Sequence, residues 1–253
     1  MFQFPDLHII PRVIAHRGAN RFAPENTLSA FLKAKQLGFN WVEFDVMLSA
    51  DHELVVIHDE ELMRTTNGNG QVIDYPYSFL KELDAGSWFH SQFAAERISS
   101  LQIVLDFLYE HNLSANIEIK ALQNCNELVV IKVLDILQRN SGRFISQPLI
   151  SSFSHEVLQI IRKNAPNYLL GFLMHEWISN WEMICDELQC VTVNVNHRIL
   201  NQKRIQAIKI TNRQVLAYTV NHTKRAEQLF AWGVDAIFSD CPKEIIEMLH
   251  VGL

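Results

Sequence analysis

Glu43 and Asp45 stand two residues apart in the run 41–46. Their apolar and β-branched neighbours make this run a strand, and on a strand residues i and i+2 face the same way. Both carboxylates therefore converge on one spot. With a third acid from elsewhere, oxygens so placed suit a hard cation such as Mg²⁺ or Ca²⁺. Taken alone, the pair also reads as two solvent-facing acids on an edge strand. A second apolar run, 54–57, ends in His58 and Asp59 and sets an imidazole at a strand end. Imidazole suits proton transfer because its unperturbed pKa, ~6.5, lies near neutrality.

The elements that must position these groups repeat along the chain. Strand-type runs fall at 12–15, 41–46, 115–120, 149–153, 169–174, 191–195, 214–221 and 236–239, with helical patterns between most of them. The stretch from Pro24 to Thr27 opens the first helix and Gly38 stops it. The link from Leu48 to Leu54 is too short for a parallel crossover. Residues 54–57 are therefore the return arm of an antiparallel hairpin, which brings His58 back beside Glu43 and Asp45. Residues 60–99 break the rhythm with a turn-rich stretch from Arg64 to Gly70 and many aromatics. They read as a compact inserted lobe, with Trp88 and Phe89 as core rather than lid. Eight βα units predict a (β/α)8 TIM barrel, one domain over 1–253 with the lobe inserted. An open doubly wound sheet is the competitor. It usually carries a Gly-rich phosphate turn after the first strand, and the stretch from His16 to Asn20 is not one.

Composition narrows the setting. The chain has 253 residues, 48% hydrophobic and 20% charged, with net charge −6 and a pI of about 6.0. It bears no basic stripe, which counts against nucleic acid as a partner. Cys125, Cys185, Cys190 and Cys241 lack paired spacing and read as reduced thiols. The first twelve residues do not form a signal peptide, and no apolar run approaches the ~20 residues of a membrane span. A cytoplasmic protein is expected, with its oligomeric state open.

In a barrel the C-terminal strand ends meet at one mouth, where polar residues read as catalytic. Here those ends carry His16 and Arg17, then Glu43 and Asp45 with His58 on the hairpin, then Glu118 and Lys120. Later ends carry Ser151 and Ser152, Asn196 and His197, Tyr218 and Asn221, and Ser239 and Asp240. So many charges are costly to bury unpaired, but they make sense around a cation and an anionic substrate. The ordered set resembles the glycerophosphodiester phosphodiesterase family across essentially the whole chain, and looks closest to its small cytoplasmic bacterial members. Its components are His16 to Gly18, Pro24 to Leu28, Glu43 to Val46, His58 and Asp59, Arg64 to Gly68, Leu83 to Trp88, Asn116 to Lys120, Ser151 to Phe153, Tyr218 to Asn221, and Gly233 to Ala236.

The resemblance implies a (β/α)8 barrel with a small inserted lobe that hydrolyses glycerophosphodiesters to sn-glycerol 3-phosphate and an alcohol. It implies a divalent cation, Mg²⁺ or Ca²⁺, on Glu43, Asp45 and Glu118. His16 and His58 match the family's general acid/base pair, their order left open, and Arg17 and Lys120 match groups that neutralise phosphate. By the same analogy the glycerol 2-hydroxyl attacks first and water opens the cyclic phosphate. Many members have Trp where Tyr218 stands, a residue that packs on the glycerol, so a changed substrate preference is expected. Ile98 to Leu101 also departs from the family pattern, with little consequence. Asn26 reads as a helix-start residue rather than a ligand. Glu25, Asn196, Asn221 and Asp240 either line the mouth or cap helices. The competing functions are a lysophospholipase D-like or sphingomyelinase D-like phosphodiesterase and a catalytically dead binding barrel.

Overall fold

Short β-branched runs become parallel strands because both of their faces are covered, one by helices and the other by the barrel interior. In the computed structural model, which describes residues 10–143 and 146–251, these are β1 (Val13–Ala15), β2 (Trp41–Leu48), β4 (Ser114–Ile119), β5 (Leu149–Ser152), β6 (Leu169–Met174), β7 (Thr192–Asn196), β8 (Gln214–Tyr218) and β9 (Ala236–Ser239). Each pairs in parallel with the next, and β9 pairs with β1 to close the ring. The fold is a (β/α)8 TIM barrel. The remaining strand, β3 (Leu54–Val56), is antiparallel to β2, with Val46 opposite Val56, so the return arm is a hairpin arm as the short link requires. Residues 1–9 of the N-terminal stretch read as no signal peptide lie outside the described residues.

The helices are α1 (Leu28–Gln36), α2 (Tyr77–Leu80), α3 (Leu101–Glu110), α4 (Asn126–Arg139), α5 (His155–Asn164), α6 (Trp181–Glu187), α7 (Gln202–Lys209), α8 (Thr223–Trp232) and α9 (Pro242–Val251). None of the described helices is long and apolar enough to cross a membrane. α1 starts later than Pro24 because Thr27 is its N-cap, its side chain accepting from the Ala30 N–H. It ends at Gln36, and Gly38 just beyond its cap turns the chain away with a φ of +90°, cheap only for glycine.

Alternation along the strands divides the core in two. Val13 and Ala15 pack outward with Phe31, Phe44 and Leu105 against the helices, while Ile14, Trp41, Leu149, Leu169, Leu216 and Phe238 form a separate cluster. The Phe31 and Phe44 rings meet with centroids 5.7 Å apart and tie α1 to β2. Burying each ring stabilises the fold by roughly 1.5–3 kcal/mol. Trp41, Glu43 and Asp45 share the parity opposite to Val42, Phe44 and Val46, so β2 places an apolar floor below its two acids.

Between β3 and α3 the chain makes three short 3-10 turns, Leu62–Arg64, Val72–Asp74 and Ser91–Phe93, with α2 among them. Leu62, Val72 and Leu80 are buried there. Trp88 departs from its expected core position: it is 41% exposed, with its indole N–H donated 2.9 Å to the Ala85 carbonyl. Aliphatic side chains anchor this segment, and Trp88 packs edge-on to Phe89 at its surface.

Candidate active site

The β2–β4 register sets Asp45 beside Glu118 and Glu43 beside Asn116. One oxygen each of Glu43, Asp45 and Glu118 lies within 4.8 Å of the others, and all three residues are buried. Lys120, just past β4, is held by its N–H to the Val46 carbonyl. Its ammonium reaches Asp45 Oδ1 at 2.8 Å and Glu118 Oε1 at 2.6 Å. Burial works against the ionised form of Asp45, but Lys120 and Arg17 outweigh it and hold the carboxyl far below the ordinary range. For Glu43 burial and the Asp45 charge outweigh the pull of His16 and Arg17 and push it up to about 8. Burial and the same Asp45 charge raise Glu118. A buried trio short of positive charge, with hard oxygen donors, fits a divalent cation of the Mg²⁺ or Ca²⁺ class.

His16 and Arg17 occupy the turn after β1. Arg17 sits in the left-handed region, φ 52°, with its N–H donated 3.0 Å to Glu43 Oε2. Gly18 lets this turn lie on α1, since a Cβ there would stand 2.7 Å from Ala30. The Arg17 guanidinium donates 2.7 Å to Glu25 and lies 3.4 Å from Asp45 Oδ2. His16 Nε2 lies 3.8 Å from Glu43, and its Nδ1 donates 2.6 Å to Asp240 just beyond β9. Burial pulls the His16 pKa down, but the Asp240 hydrogen bond and the Glu43 charge outweigh it and raise it.

His58 follows β3, tied to β2 by the Ile57 N–H to the Asp45 carbonyl. Its Nδ1 donates 2.5 Å to Asp59 Oδ1. Burial, aided by Lys120 and Arg17, lowers its pKa despite the pull of Asp45 and Asp59. Both imidazoles thus point Nδ1 at a carboxylate and keep Nε2 for the cavity, an orienting arrangement.

A cavity of about 170 Å³ brings together His16, Arg17, Glu43, His58, Glu118, Lys120 and Tyr218, and Asp45 stands under its wall through Arg17 and Lys120. Tyr218 ends β8, earlier than the expected strand end at Asn221. Its ring meets Phe153 edge-on, centroids 5.9 Å apart, and its buried hydroxyl has no hydrogen-bond partner among the described residues. Phe153, Leu173 and Phe238 give this side of the cavity an apolar wall.

Four residues enter the site that the sequence reading left undecided or read otherwise. Asn26 is not a helix-start residue: it lies before the cap with φ 59°, and its amide donates 3.0 Å to Asp45 Oδ2. Asp240 lines the mouth and binds His16, Asn20 and Asn221. Glu25 binds Arg17 and Arg64, and Arg64 also binds Asp59. The signal for Asp240 was its place directly after a barrel strand, the same place that singled out His16. Asn196 and His197 do not line the cavity.

Residues 16–244 match the model of the glycerophosphoryl diester phosphodiesterase family. A glycerophosphodiester phosphodiesterase of Caldanaerobacter subterraneus is 33% identical over 95% of this chain and 98% of its own length. One from Bacillus subtilis is 30% identical over 90% and 83%. The solved structure of an Oleispira antarctica phosphodiesterase in complex with its product sn-glycerol-3-phosphate superposes with a TM-score of 0.92 at 32% identity, over 96% of this chain and 98% of that one. The protein is an enzyme, and the chain belongs to the glycerophosphoryl diester phosphodiesterase family.

Proposed function

We propose that the protein hydrolyses glycerophosphodiesters to sn-glycerol 3-phosphate and an alcohol, with His16 and His58 as the general acid/base pair and a divalent cation on Glu43, Asp45 and Glu118. The observation that carries this reading is the convergence of two carboxylate-oriented imidazoles and three buried acids on one cavity. The family match and the product named for the Oleispira antarctica relative support the substrate class.

A phosphodiester is anionic and repels a nucleophile, so charge on its oxygens must be neutralised as the bond order changes. Arg17 and Lys120 supply fixed positive charge at the cavity wall, each held by buried acids. A divalent cation, when bound, adds Lewis-acid stabilisation of the phosphoryl oxygens. First the glycerol 2-hydroxyl attacks phosphorus, one imidazole taking its proton while the other protonates the leaving alkoxide, which departs as the alcohol. Water then attacks the cyclic phosphate, the two imidazoles exchange roles, and the bond from phosphorus to the glycerol 2-oxygen breaks to give sn-glycerol 3-phosphate. Asp240 and Asp59 fix the ring orientation that each transfer needs. Tyr218 and Phe153 offer apolar faces for the glycerol carbons. The scattered spacing of the four cysteines supports a reducing compartment, and we place the protein in the cytoplasm on that ground.

The test uses chelated protein with glycerophosphocholine and glycerophosphoethanolamine, Mg²⁺ or Ca²⁺ added back, and sn-glycerol 3-phosphate as readout. Cation-restored product that disappears in His16→Ala and His58→Ala is expected. Product formation untouched by chelation, or retained in both variants, would overturn the proposal.

A further inference from the structure

Arg64 lies outside the cavity, on the surface side of the site, yet its guanidinium joins two separate parts of the machinery. It is the last residue of the 3-10 turn Leu62–Arg64, anchored by the fully buried Leu62. Toward Glu25 it donates from two nitrogens, each at 2.8 Å, one to each carboxylate oxygen. Toward Asp59 it donates from Nε to Oδ2 and from the shared terminal nitrogen 3.0 Å to Oδ1. Both contacts are forked pairs, the strong and directional form of an Arg–carboxylate bond. The two carboxylates face inward with their remaining capacity: Asp59 Oδ1 also accepts from His58 Nδ1 at 2.5 Å, and Glu25 Oε1 also accepts from Arg17 at 2.7 Å.

We infer that Arg64 is a positioning residue that fixes the His58 imidazole and the Arg17 guanidinium relative to one another through Asp59 and Glu25. It touches no reacting atom. A single planar fork orients two acids at once, and each acid orients one group at the cavity. A lysine cannot replace it, because a point-like ammonium lacks the planar donors that hold both carboxylates in plane. Asp59 so held keeps the His58 proton on Nδ1 and leaves Nε2 facing the cavity. Glu25 so held keeps Arg17 extended toward Asp45. Arg64 thus braces the site from the inserted lobe, outside the barrel.

This inference rests on the proposed roles of His58 and Arg17, and the experiment separates the two. Steady-state kinetics with glycerophosphocholine compare wild type, Arg64→Ala, Arg64→Lys, His58→Ala and Arg17→Ala. Arg139→Ala serves as control for a surface pair with Asp135. Loss of an orienting partner behind an active-site group typically costs about 10- to 100-fold. That loss is expected in kcat for Arg64→Ala and for Arg64→Lys, with Arg139→Ala unchanged. Added guanidinium at non-denaturing concentration is expected to restore part of the Arg64→Ala rate and to leave wild type unaffected. ¹⁵N imidazole spectra are expected to show His58 protonated at Nδ1 in wild type and a mixture of tautomers in Arg64→Ala. Normal kcat in Arg64→Ala, while His58→Ala and Arg17→Ala are inactive, would overturn the inference and leave the proposed function standing. So would a loss that merely follows the folded fraction, with no guanidinium response and an unchanged His58 tautomer. Full activity in His58→Ala and Arg17→Ala would instead remove the proposed function itself.

Discussion

Replacing Asp240 by Asn tests how much the orienting carboxylate behind His16 contributes to the fold as well as to the reaction. Asp240 accepts from His16 Nδ1 at 2.6 Å and Asn20 at 2.7 Å on one oxygen, and from Asn221 at 2.5 Å on the other. Burial opposes its ionisation, but His16 and the two amides overcome burial and hold its pKa at about 2, against an ordinary 3.8. At about 1.36 kcal/mol per pH unit, and allowing for 27% side-chain exposure, the gap contributes on the order of 2 kcal/mol. Because the folded pKa lies below the unfolded one, this stability is complete above the unfolded value and disappears as pH falls through the folded value. An Asn amide has only one accepting oxygen, so one of the three donors would face another N–H.

Urea unfolding of wild type and Asp240→Asn should therefore differ by about 2 kcal/mol from pH 7 down to about pH 4, and by roughly half of that near pH 3. The slopes should match, since the surface exposed on unfolding is the same. Turnover should fall about 10- to 100-fold, with the KM less affected. Equal stabilities at pH 7, or a difference that widens below pH 4, would refute the linkage.

Other expectations follow from close contacts. Lys120→Met leaves Asp45 and Glu118 without their shared ammonium, so it should lower thermal stability in chelator and recover more on adding Mg²⁺ or Ca²⁺ than wild type does; equal cation-induced shifts in both proteins would count against the acid trio as the cation site. Gly86→Ala would put a Cβ 1.9 Å from the Phe93 carbonyl oxygen, so destabilisation of about 1–3 kcal/mol is expected in thermal unfolding, and wild-type behaviour would show that the turn there yields. Phe153→Ala removes the ring that meets Tyr218 and should raise the KM for glycerophosphodiesters with little change in kcat; a loss confined to kcat would argue against a wall that only holds substrate.

The barrel was legible because its signals are local. Eight short apolar runs and the short link between Leu48 and Leu54 fix the strand count and the hairpin, and the i, i+2 acids on β2 meet Glu118 on β4 through register alone. The partners that orient those groups were not legible, since they depend on distant packing. Asp240 meets His16 across 224 positions, and Glu25 meets Arg64 across 39. Asn26 looked like the start of a helix because Asn favours that place, but its left-handed backbone turns the side chain to Asp45. Trp88 was read inward on hydrophobicity, whereas its indole N–H found a carbonyl at the surface of its own turn.

Ring closure between β1 and β9 also sets a clock. The carboxylate that orients His16 is made 224 positions after it. At roughly 5–20 residues per second that interval is about 10–45 s. Throughout it, β1 has no β9 beside it and the nascent chain holds an imidazole without its anchor. Interrupted translation therefore leaves fragments that carry most of the cavity residues but lack both the strand that closes the ring and the carboxylate that holds His16.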